Sequence, residues 1–351
     1  MNATAPTAPA PRAASRRTLR WTVTGGVVML ILAVLAVRRG GLLDLPAPPR
    51  GITPERAGLA NLQELALRAR ALESLASGRT FAAAPSDSAF ARAVAGLTAV
   101  RRGDAEPGVS LLRSGLSLAP GDLVLGNAYR MAVFQLRRAH LTDAAGRETL
   151  VARVPAWLER EPLATLERLH AANPQREVAL QLALAWVDEL MLFPALEIKA
   201  PASVESVQLL TDILGREPAY VPALYGRGLN YLHRPASLVW PEARKASPDA
   251  ASQDVGLAVA IGRRVGGGSP ELVATLSLTL GDALAKEGHA DRARSWWQIA
   301  ANTHREPAML DAARRRFDWR DAELRDRLEA ELEARMADLD HPLTDLSIMW
   351  R

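Results

Sequence analysis

The chain has 351 residues, 48% of them hydrophobic but only 5% aromatic, with alanine and leucine dominating. It can bury a sizeable core, and its composition suits close helix–helix packing better than a β-sandwich. Of its 43 basic residues, Arg12, Arg16, Arg17, Arg20, Arg38 and Arg39 flank the first apolar run, leaving 37 against 39 acidic ones, so the net +4 is poor support for a nucleic-acid-binding face; the absence of cysteine excludes disulfides, thiolate metal sites and cysteine nucleophiles.

Residues 1–20 are rich in alanine, proline and arginine and read as a flexible basic tail. Trp21 to Val37 is a run of 17 residues without a charge, closed by Arg38-Arg39. As a helix it would reach about 25 Å, the short end for a bilayer core. A tryptophan at one end and arginines at both are the anchors of a spanning helix, so 21–39 is expected to be a transmembrane helix held in a lipid bilayer. A cleaved secretory signal is the competing reading, weakened by the missing polar region before Arg38. The arginine balance places the N-terminus in the cytoplasm and the remainder outside it, at a bacterial inner membrane. Residues 40–58, with Pro46, Pro48 and Pro49, read as a proline-rich linker.

Beyond it, apolar residues recur at helical spacing with no strand-like alternation. In residues 89–122, Gly96, Ala99, Gly103, Gly108, Leu112, Gly115 and Pro120 fall in an informative order. Small residues permit two helices to cross closely, Gly103 suits the turn between them, and Pro120 stops the second. A second copy lies at 274–307, where Leu280-Gly281, Leu284, Gly288, Ala293, Trp297 and Ala300 repeat the pattern. A partial copy follows Pro218, carried by Leu224, Gly228 and Tyr231. This pattern resembles the tetratricopeptide repeat. The resemblance implies an all-α chain, with a helical solenoid over 59–307 and a capping helix and tail over 308–351.

Two proline-rich stretches interrupt the array, 137–162 around Trp157 and 233–252 around Trp240. Toward the C-terminus, Leu324, Leu328, Leu332, Met336 and Leu339 form a helical stripe. The final Leu346, Ile348, Met349 and Trp350 are apolar enough to dock, either on the domain or on a partner.

Catalytic signatures are missing. None of the six histidines stands in a metal-ligand spacing, Gly266-Gly267-Gly268 lacks the Lys-Ser/Thr of a phosphate loop, and no serine sits in a Gly-x-Ser-x-Gly elbow. The expectation is a chain that is not an enzyme and holds no cofactor or metal. In tetratricopeptide proteins the first helix of each repeat lines a concave groove. The resemblance therefore implies that Phe90, Leu97, Val100, Tyr225, Leu229 and Leu232 line one here, with Trp240 and Trp350 as further contacts. The Lys and Asn with which some members clamp a terminal carboxylate are replaced by Ala93 and Leu97. Function is expected to be protein–protein interaction, as an accessory subunit of a membrane assembly such as an electron-transfer or photosynthetic complex. A transient assembly factor is the alternative, and an enzyme with an unrecognised helical active site is the third.

Overall fold

The computed structural model describes residues 44–82, 85–141, 153–193, 196–234, 249–266, 268–303 and 307–351, with backbone alone for 196–199. Among the described residues every regular element is helical and there is no strand. The α-helices are α1 (Pro54–Ala57), α2 (Leu62–Ala76), α3 (Ser88–Arg101), α4 (Ala105–Leu118) and α5 (Leu123–Arg138). Then come α6 (Ala156–Glu159), α7 (Leu163–Ala172), α8 (Arg176–Leu192), α9 (Leu196–Arg216) and α10 (Val221–Leu232). The last are α11 (Ala250–Val265), α12 (Pro270–Lys286), α13 (Ala290–Thr303), α14 (Pro307–Phe317) and α15 (Asp321–Ala337), before a 3-10 turn at Leu346–Met349.

Side chains fix several of the helix starts. Asp87 accepts from the Phe90 N–H at 2.8 Å, Asp122 from Val124 and Leu125 at 2.9 and 3.0 Å, and Ser269 from Leu272 at 3.1 Å. Each satisfies donors that a helix N-terminus leaves without a partner. Arg68 on α2 joins two of these caps, donating to Asp87 at 2.9 Å and to Asp122 at 2.7 Å while stacking on the Phe90 ring.

Consecutive helices pair as tight hairpins: α3 with α4, α8 with α9, α10 with α11 and α12 with α13. Glycine explains how close they come. A Cβ on Gly96 would lie 2.7 Å from the Gly108 carbonyl and 2.8 Å from Leu112, so only a hydrogen fits. The α12–α13 hairpin repeats this crossing position for position. Gly281 meets Ala293 and Trp297 as Gly96 meets Gly108 and Leu112, and Gly288 turns the chain at φ +89° as Gly103 does at +94°. Gly228 on α10 likewise approaches Val255 on α11.

The first helices of these pairs, together with α5 and α14, also touch one another in series: α3 meets α5, then α8, α10, α12 and α14 follow, each against the next. The result, among the described residues, is a repeat-like succession of helices. Where helix α15 lies back across α12, its Leu324, Leu328 and Leu332 stripe is buried within the chain.

The expected transmembrane helix and inner-membrane placement are corrected by the structure: among the described residues no helix is long and apolar enough to cross a membrane. The longest, α9, has 21 residues but carries Glu205, Asp212 and Arg216. Residues 1–43, including the Trp21–Val37 run, lie outside the described residues, and so does Trp240.

Buried charge ties the layers together. Between α12 and α14, Asp282 accepts from Arg316 at 2.7 and 3.0 Å and from the Trp297 indole at 2.9 Å, with Asp282 and Arg316 no more than 1% exposed. Between α5 and α8, Arg130 meets Asp188 at 2.7 Å and Arg137 pairs with Glu189.

Candidate binding groove

Helix α5 supplies the floor of the groove. Asn127, Ala128, Met131 and Gln135 face the groove, while the adjoining stripe of Gly126, Arg130, Val133 and Arg137 is buried toward α8. Two arginines on a buried stripe need acidic partners, which α8 provides in Asp188 and Glu189. Arg130 is 0% exposed and fully engaged: Nη1 on Asp188, Nε on Gln181 at 3.1 Å, and Nη2 on Asn127 at 3.1 Å. Burial pushes the Asp188 and Glu189 carboxyl groups up from their usual range, while the facing arginines draw them back.

The chain's own C-terminus lies on this floor. Arg130 also donates to the Thr344 carbonyl, and the Leu346 N–H donates to Asn127 Oδ1 at 3.0 Å. Asn127 Nδ2 returns a bond to Asp345 at 2.8 Å, and the Thr344 hydroxyl donates to Asp188 at 2.5 Å. Farther along α5, Arg138 pairs with Asp340. The segment therefore runs antiparallel to α5, since rising tail numbers meet falling helix numbers. Burial disfavours the Asp345 carboxylate, but hydrogen bonds from Ser347 and Asn127 outweigh that and hold its pKa below the usual carboxylate range. Leu346, Met349 and Trp350 are buried beyond it.

Beside the tail the groove stays open, with a volume of about 1410 Å³. Its walls are α2, the end of α3, α5, the tail and the start of α12 at Ser269-Pro270, lined by Leu62, Ala66, Leu97, Val100, Met131 and Trp350 among others. Polar residues edge it, where Arg101 pairs with Glu73. Leu67, 46% exposed, faces the same space.

Leu97, Val100 and Trp350 thus come together in one groove. Phe90 is buried beneath Arg68, while Tyr225, Leu229 and Leu232 are buried on α10 and do not line it. Sequence reasoning passed over Asn127, Arg130, Asp188 and Thr344. The signal for Arg130 was there: with Arg137 it is one of two charged residues in register with Gly126 and Val133 on one stripe of the helix.

No family model, curated protein or solved structure matches the chain. The groove must therefore be understood from its own chemistry. Among the described residues no group of three or more His, Asp or Glu is placed to hold a metal ion. The buried carboxylates Glu161, Asp188 and Glu189 are each held by an arginine (Arg113, Arg130 and Arg137), and none lines the groove.

Proposed function

We propose that the chain is a non-catalytic, tetratricopeptide-like solenoid that serves as an interaction scaffold by holding a segment of another protein in its α2–α3–α5 groove. The observation that carries this is the tail itself: the groove already holds a stretch of polypeptide, folded into a 3-10 turn at Leu346–Met349, through main-chain hydrogen bonds, with apolar space to spare beside it. Backbone readout plus apolar side-chain pockets is how peptide-binding grooves obtain affinity and register. The buried carboxylates beside the groove, Asp188 and Glu189, are each held by an arginine, which favours binding over catalysis.

The test is a photo-crosslinking amino acid placed at Leu67, in the groove, or at Leu118, on the outer face of α4. The two are similarly exposed, at 46% and 51%. A discrete adduct from 67 and none from 118 is expected. Equal yields, or adducts from 118 alone, overturn the assignment. Survival of the adduct's partner through size exclusion without crosslinking distinguishes a stable accessory subunit from a transient assembly factor.

A further inference from the structure

We propose that the groove recognises a partner segment of the pattern Thr-Asp-Leu followed by an apolar–aromatic pair, and that residues 341–351 are an internal ligand of that chemistry which the partner displaces. This rests on the scaffold reading above and adds to it the identity of the ligand and its regulation.

Four features carry the inference. The receptor side is built without the tail, because Arg130 is already fixed by Asp188, Gln181 and Asn127. A segment arriving from elsewhere meets the same preorganised donors and acceptors. Second, Arg130 reads a carbonyl and Asn127 an N–H, so register is set by main chain that any peptide offers. Third, selectivity comes at Thr344, whose hydroxyl donates to Asp188, a carboxylate only 1% exposed. A donor is required there, and a phosphorylated threonine would set anionic oxygens against a buried carboxylate. Fourth, Leu346, Met349 and Trp350 occupy the apolar positions, and Trp350 borders the empty part of the groove. An incoming segment can settle in that space before the tail leaves. Arg351, next to the buried Trp350, is exposed.

Displacement is a competition against an attached ligand, whose effective concentration is of the order of millimolar for a short tether. The full chain should therefore take up added peptide weakly, and a weakened tail should make uptake stronger. The probe is a fluorescein-labelled peptide of residues 341–351, His-Pro-Leu-Thr-Asp-Leu-Ser-Ile-Met-Trp-Arg, followed by anisotropy. Full-length chain carrying Thr344→Val should bind it about 10- to 100-fold more tightly than unsubstituted chain, the factor for one hydrogen bond to a charged group. Peptides with valine or phosphothreonine in place of that threonine should lose binding to the same variant.

Folding of the variant is checked by circular dichroism. A second measurement needs no weakened tail: the chain has no cysteine, so Arg351→Cys gives a single site for a spin label. Excess unlabelled peptide should mobilise that label, and the phosphothreonine peptide should not. A folded Thr344→Val chain with unchanged peptide affinity, or a label indifferent to peptide, overturns the proposal. Equal binding of the threonine and phosphothreonine peptides overturns it too. Any of these would leave the crosslinks from Leu67 standing, so the two readings fail separately.

Discussion

Replacing Asp282 by alanine tests whether buried charge holds α12, α13 and α14 together. Asp282 is 0% exposed and receives three hydrogen bonds, two from Arg316 and one from Trp297. Its loss leaves the guanidinium of a residue that is 1% exposed with Glu331 at 3.0 Å as its remaining acidic partner. Breaking a buried pair from one side costs about 3–5 kcal/mol. Glu331 is 25% exposed and compensates in part, which favours the lower end. At roughly 2 °C per kcal/mol for a chain of this size, the melting temperature should fall by roughly 6–10 °C. The double variant Asp282→Leu with Arg316→Met removes both charges, but leaves the Trp297 N–H without its acceptor and Arg335 without the carboxylate 3.9 Å away. It should remain about 1–3 kcal/mol below the parent, recovering part of the loss. Urea unfolding followed by circular dichroism and tryptophan emission measures both. A single variant within 1 kcal/mol of the parent, or a double variant no better than the single, would refute the reasoning.

Gly96→Ala should destabilise by about 1–3 kcal/mol, because its Cβ has nowhere to go between Gly108 and Leu112. Gly215→Ala on α9 has open space and should stabilise by a few tenths to about 1 kcal/mol; opposite signs in thermal melts are the check. Arg68→Met should cost about 1–2 kcal/mol by releasing two N-caps at once, and combining it with Asp87→Ala should give less than the sum in a double-mutant cycle. His233 has both ring nitrogens enclosed, and burial aided by Arg335 and Lys286 depresses its pKa from 6.5 to about 3. The folded state then refuses a proton that the unfolded chain accepts, so this contribution to stability is present above pH 6.5 and is lost as pH falls toward 3. His233→Gln should flatten the acid limb of the stability curve in that window, and an unchanged limb counts against the assignment.

Local glycine geometry explains why the helical architecture was legible. Gly96, Gly108 and Gly281 sit where no side chain fits, and Gly103 and Gly288 adopt positive φ. Such constraints act on single residues and leave a mark at each. The leucine stripe of α15 was readable for a similar reason, since helical spacing alone gathers Leu324, Leu328 and Leu332 on one buried face. The groove was legible only in part. Leu97 and Val100 follow from position within one hairpin, but Leu229 and Leu232 sit equivalently on α10 and are buried away from the groove. Burial there depends on how successive hairpins stack, which no local pattern encodes. The polar floor is less local still: Asn127 and Leu346 are 219 positions apart.

That separation has a bearing on synthesis. Residues 341–351 are made well after α5, which ends at Arg138. At about 5–20 residues per second, roughly 10 to 40 s pass between the two. Throughout that interval the α5 floor has no segment of its own to hold. A partner present at the ribosome meets no internal competitor, while one that comes later must dislodge the tail. When the partner is encountered, and not only how tightly it binds, would then decide how often the complex forms.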